Sequence, residues 1–338
     1  MNWFERIPKV ELHLHLEGAI PYSALWDLVQ KYGGDPALPD LAALKEKFIF
    51  RDFPHFIDTW IWKNQFLREY EDFTFVAAAV AHDLAEQNIR YAEAFYSPVD
   101  FAQYGLQVQL LTEAIRAGLA RVPAITVNLI ADLDRDFGPR RAARTLVEVY
   151  EVRDLGVIGI GIGGSEQRYP PEPFANVYAT ARELGFHTTA HAGEAAGAAS
   201  IWGALRALHV ERIGHGVRAA EDPALLDYLV EHAIPLEMCP LSNVRTGVIP
   251  SLDEHPARRY FEHGILVTIS TDDPKMFGNT LAEEYALLEQ RLGFSRNDTR
   301  SLMLNSIDAA WLPETHKERL RAAFCADPAW QAEAGGET

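Results

Sequence analysis

The chain has 338 residues and a formal net charge of −17 at pH 7, from 31 Lys and Arg against 48 Asp and Glu. It is 48% hydrophobic and 23% charged, an ordinary globular balance with material for a large core. So acidic a chain repels nucleic-acid backbone and anionic membrane surfaces. Its two cysteines, Cys239 and Cys325, cannot build a disulfide framework and suit a reducing compartment.

The opening residues mix charge with few apolar side chains, and no run approaches the ~20 apolar residues of a membrane span. The expectation is a soluble, cytoplasmic protein with no nucleic-acid or membrane partner.

Short apolar runs then alternate with longer amphipathic segments. Eight runs read as strands: 9–15, 89–96, 125–132, 157–163, 186–191, 210–214, 234–239 and 265–271. Helical patterns at 106–121, 139–154, 172–184, 197–208 and 222–232 separate most of them. Each is long enough for a right-handed crossover between parallel strands. Eight βα units in succession predict an α/β fold, a (β/α)8 TIM barrel, over an open sheet.

The whole chain, 1–338, reads as one domain. The connection 16–88 is much the longest and carries Phe48, Phe50, Phe53, Phe56, Trp60, Trp62 and Phe66. A helical insertion is expected there, either a lid over the barrel mouth or helices that only cover its side. Extra C-terminal helices are expected over 279–325, and a frayed tail over 330–338.

Chemically able residues fall at the C-terminal ends of these strands, where barrel enzymes build their sites. His13 and His15 form an i, i+2 pair, so both imidazoles project from one face of the first strand. His191 and Asp272 would complete a three-His, one-carboxylate set for Zn2+, with a coordination position left for water. The net positive charge of such a centre would acidify that water. Glu194, in HAGE, could protonate a substrate nitrogen if burial lifts its pKa. His215, between two glycines, could orient or deprotonate the water. Asp273 could accept a hydrogen bond from substrate or water. Gly161, Gly163 and Gly164 read as backbone that approaches a flat ligand, Cys239 as a buried structural thiol, and His55, His82, His209, His255 and His316 as surface or core residues.

The motifs PKVELHLHLEGA (8–19), TAHAGE (189–194), RIGHGV (212–217), CPLSNV (239–244) and STDDP (270–274) resemble those of the adenosine deaminase family, in family order and over most of the chain. The resemblance implies one Zn2+ per chain on His13, His15, His191 and Asp272, and a small purine nucleoside as substrate. It implies that Glu194 protonates purine N1, that His215 is the base toward the activated water and stabilises the developing charge, that Asp273 accepts from that water or from N7, and that the Gly164 backbone meets the ring near N3. Hydroxide attack at C6 would then release ammonia.

The chain departs from adenosine-specific members in HLEG, where Glu17 stands in place of an Asp that bonds the ribose. That departure brings adenine and 6-amino-6-deoxyfutalosine into view beside adenosine. Lys63 or Arg168 would be candidates to bind an extra carboxylate. The P-C-x-x-C signature of polynucleotide deaminases is absent.

Overall fold

The computed structural model describes residues 2–51 and 53–332. Eight strands form one parallel sheet in chain order: β1 Lys9–His15, β2 Ile89–Tyr96, β3 Thr126–Asp132, β4 Val157–Gly161, β5 His187–Ala192, β6 Arg212–His215, β7 Leu236–Met238 and β8 Val267–Ile269. Ladders join each strand to the next. The sheet returns on itself at the single Leu14–Asp272 bridge, where the His15 N–H donates to the Asp272 carbonyl at 2.8 Å and the Asp272 N–H to the His13 carbonyl at 3.1 Å. This is the (β/α)8 barrel expected from the sequence.

The strands are buried on both faces, which the barrel architecture demands. In β1, Val10, Leu12 and Leu14 alternate with Lys9, Glu11, His13 and His15, and every one of these is buried. The period of two therefore sends the polar set to the opposite face from the apolar one. The crossover helices bury one stripe each. Val108–Leu119 does so with Val108, Leu111, Ile115 and Leu119, at the helical spacing.

The connection 16–88 folds into four helices, Tyr22–Lys31, Leu41–Lys47, Phe53–Asn64 and Tyr70–Glu86. The last is a barrel crossover, with Phe73, Val76, Ala77, Val80 and Leu84 buried. After β8 come the short helix Pro274–Phe277 and then Leu281–Leu292, Arg296–Ala309, Glu314–Ala326 and Pro328–Gln331. Thr280 caps the second of these through a reciprocal pair with Glu283. The expected frayed tail, 330–338, starts inside the last helix, where Trp330 is buried against Phe324; residues 333–338 lie outside the described residues. No helix among the described residues is long and apolar enough to cross a membrane.

Candidate active site

Closing the barrel gathers the strand ends around one mouth. His13 and His15 end β1, His191 lies in β5, and Asp272 follows β8. One ligand atom from each of the four lies within 4.8 Å of every other. His13 Nε2 and His15 Nε2 each stand 3.1 Å from His191 Nε2. Asp272 Oδ1 is 3.5 Å from His13 Nε2 and 3.3 Å from His15 Nε2. Donors about 2.0–2.1 Å from a tetrahedral ion lie about 3.3 Å apart, and these four separations are of that size.

The surroundings orient these groups toward one another. Glu237 Oε2 accepts from His13 Nδ1–H at 2.8 Å, which leaves the Nε2 lone pair facing the cluster. Burial alone would raise the Glu237 carboxyl, but Arg212 and His13 bring it below the ordinary range, so it stays an acceptor. The Ser242 hydroxyl donates to Asp272 Oδ2 at 2.6 Å and leaves Oδ1 toward the imidazoles. Asp272 and His215 sit at φ +66° and +62°, a left-handed backbone that costs about 1–3 kcal/mol per non-Gly residue. That backbone lets adjacent Asp272 and Asp273 both face the mouth, which an ideal strand forbids.

Glu194 sits beside the cluster, its Oε2 3.6 Å from His215 Nε2. Burial, then the nearby Asp272 and Glu166 charges, push its carboxyl up to about 8. The loop that carries it is pinned by Glu166, whose carboxylate accepts from the backbone N–H groups of Gly193, Glu194, Ala195 and Ala196 at 2.6–3.1 Å. Asp273 is buried and is raised to about 7, chiefly by burial and then by Asp272. Its Oδ1 has no hydrogen-bond partner. Only glycine fits at position 18, because a Cβ there would fall onto the Asp273 carboxylate.

A cavity of about 450 Å³ opens in front of this group, within the range of small-molecule sites. His15, His191, Asp272, Glu194, His215, Asp273 and Gly164 all line it. Phe56, Ile57, Trp60, Ile61 and Asn64 add a wall from the Phe53–Asn64 helix. Asp100, Asp132, Asp134 and Asp136 form the end that lies beyond β2 and β3.

Three residues singled out from the sequence lie elsewhere. Glu17 is buried, with Oε1 accepting from the Ser97 N–H at 3.1 Å and Oε2 without a hydrogen-bond partner. Lys63 is buried too, and donates to the Glu17 carbonyl at 2.8 Å and to Asn64 Oδ1 at 2.7 Å. It already has its acceptors, and Arg168 is exposed and off the cavity wall, so the suggestion that either meets a substrate carboxylate gains no support. Cys239, by contrast, is buried beside the cluster, its sulfur within 4.8 Å of ligand atoms of His215 and Asp272, and its thiol is pushed well up by burial first.

Sequence reasoning missed Glu237, Arg212, Glu93 and Glu166. The available signal was a charged residue inside an apolar strand, such as Glu93 in β2 or Glu237 in β7.

Eight parallel strands with an imidazole–carboxylate cluster at their C-terminal ends define a metal-dependent hydrolase of the barrel type. The chain belongs to the adenosine deaminase family, whose model matches residues 8–325 under the description "Adenosine deaminase". It is 38% identical over 309 residues to a protein named adenine deaminase from Bordetella avium, covering 90% of this chain and 98% of that one. It is 34% identical over 321 residues to an aminodeoxyfutalosine deaminase of Streptomyces avermitilis, covering 94% and 90%. Among solved structures, an amidohydrolase from Burkhoderia ambifaria with bound Zn superposes with a TM-score of 0.87 at 31% identity, covering 96% of this chain and 91% of that one. The chain is thus a hydrolase of C–N bonds, a deaminase of the adenine, adenosine or aminodeoxyfutalosine type.

Proposed function

We propose that the protein hydrolyses the 6-amino group from an uncharged 6-aminopurine nucleoside of the adenosine type, with one Zn2+ held by His13, His15, His191 and Asp272. The observation that carries the choice of substrate is charge. Beyond the metal-binding cluster the cavity lining holds Asp100, Asp132, Asp134 and Asp136, and among the described residues that line it there is no Lys or Arg. Burial and then the neighbouring carboxylates raise Asp134 to about 9 and Asp100 to about 7, so this end is partly protonated, but a carboxylate or phosphate on the substrate would still meet no counter-ion there. Ribose hydroxyls would find acceptors there.

His13, His15, His191 and Asp272 would hold the Zn2+, which would supply Lewis acidity toward a water. The chain supplies the rest. Glu194, protonated near neutral pH, gives its proton to N1 and makes C6 the electrophile. Asp273, with an unpartnered oxygen, accepts a hydrogen bond from the attacking water or from N7. His215 stabilises charge that develops on the new C6 oxygen. Gly164 lets the backbone approach the ring edge, and Trp60, Phe56 and Phe277 offer apolar surface for the base.

The free base, adenine, is a second reading, favoured by the likeness to the Bordetella avium protein. An ammonia-release assay with adenosine, adenine and 6-amino-6-deoxyfutalosine on the Zn2+-loaded protein decides. The expected outcome is the highest kcat/KM for adenosine. Turnover of the carboxylate-bearing nucleoside alone would sink the charge argument, and adenine as the best substrate would establish the second reading.

A further inference from the structure

Behind His215, on the side away from the cavity, runs a buried chain of three polar groups. Its polarity is set at one end by the Ala257 backbone N–H, which can only donate. That N–H donates to His255 Nδ1 at 3.3 Å. Nδ1 is therefore bare, and the proton of a neutral His255 sits on Nε2. Burial presses the His255 ring down to about 3, with a smaller push from His215, so it is neutral at any ordinary pH. His255 Nε2–H then donates to Asn243 Oδ1 at 3.2 Å. With its oxygen so engaged, Asn243 turns its amide nitrogen to His215 and donates to Nδ1 at 3.1 Å. His255, Asn243 and His215 are all buried, so water does not compete for these positions. The far nitrogen, His215 Nε2, faces the mouth, with Glu194 Oε2 at 3.6 Å and Asp272 Oδ2 at 4.0 Å.

We infer that Asn243 and His255 are positioning residues that fix His215 in the tautomer with its proton on Nε2, so that His215 meets the reaction as a hydrogen-bond donor and not as a base. Of the two roles that the family resemblance implied for His215, this keeps the stabilisation of developing charge and drops the base. Its catalytic consequence rests on the deaminase reading above; the tautomer does not. A donor fixed in place before reaction is suited to an oxygen that gains negative charge, because it needs no reorganisation as the charge appears. Reversed polarity would present a lone pair to that oxygen.

The test is long-range 15N–1H spectroscopy of 15N-histidine-labelled, Zn2+-loaded protein, with the His215 signals assigned by their loss in His215→Gln. The wild type is expected to show His215 protonated at Nε2 and bare at Nδ1. In Asn243→Asp the new carboxylate can only accept, so the proton is expected to move to Nδ1. Turnover of adenosine should then fall by roughly 10²–10³-fold, the scale of one lost oxyanion donor. KM and bound zinc should stay within about twofold of wild type.

A wild-type proton on Nδ1 overturns the inference with no mutant needed. An Asn243→Asp protein whose tautomer moves at full kcat overturns the donor role. The expected wild-type spectrum in a protein that releases no ammonia from adenosine leaves the tautomer standing and removes the substrate reading instead.

Discussion

Buried charge is treated in two ways along the barrel axis. In the interior, Arg212 lies between Glu93 and Glu237 at 2.6 and 2.5 Å, under the Trp311 ring at 3.6 Å, and donates to the Ala309 carbonyl at 2.9 Å. Glu93 is further satisfied by the Tyr91 hydroxyl and the Trp311 backbone N–H. At the rim, Asp273 is buried and Glu194 half-buried, and among the described residues neither pairs with a Lys or Arg; desolvation lifts both into the neutral range. The paired carboxylates hold the strands together and orient a metal ligand. The unpaired ones keep protons available for chemistry. The same residue type thus serves stability or reaction according to whether a cation was built beside it.

The sharpest way to break that distinction is Glu194→Gln. Loss of the proton donor should lower turnover by about 10²–10⁴-fold with bound metal unchanged, measured by ammonia release and elemental analysis. Metal loss would instead make Glu194 a ligand. In the interior, Arg212→Leu strands two buried carboxylates, and unfolding in denaturant should show a cost of about 3–5 kcal/mol. A change below about 1 kcal/mol would mean that Glu93 and Glu237 tolerate the barrel interior unaided.

Glu237→Gln tests the link between the two levels, since the His13 tautomer is set there. Zinc affinity by chelator competition should weaken about 10–100-fold, with a smaller stability loss than for Arg212→Leu. The smallest effect is on the pH profile. Glu194 must be protonated to act, so kcat/KM should fall as pH rises through its ionisation. That ionisation lies at about 8 from burial and the neighbouring carboxylates, and a bound cation moves it lower. An alkaline limb that persists unchanged in Glu194→Gln would assign it to another group.

The barrel was legible because eight apolar runs alternate with helical spacings of crossover length. β1 and β2 match their expected bounds, whereas the runs 234–239 and 265–271 pair only over Leu236–Met238 and Val267–Ile269. There the chain leaves the ladder to aim Cys239, Ser242 and Asp272 inward, and composition does not register that turn. His13, His15, His191, Asp272, Glu194 and His215 could be found because few residue types perform their chemistry. Glu237 stood out as a charge inside an apolar strand and Asn243 did not, but neither could be given a role, since a lone Glu in a strand and an Asn in a short helix have many ordinary uses. Their roles arise only from contacts across the barrel, with His13 and His215.

The barrel is completed where its first and last strands meet, by the Leu14–Asp272 bridge and by side-chain links from Ser270 Oγ, which accepts from the His13 N–H, and Glu11 Oε1, which accepts from the Thr271 N–H. Two of the candidate ligands, His13 and His15, lie on one side of that seam and Asp272 on the other. An ion shared among them is then a rivet that ties the two extremities of the barrel's strand order. Metal occupancy is thereby linked to the closure of the cylinder, because what binds the folded site alone stabilises the fold that forms it.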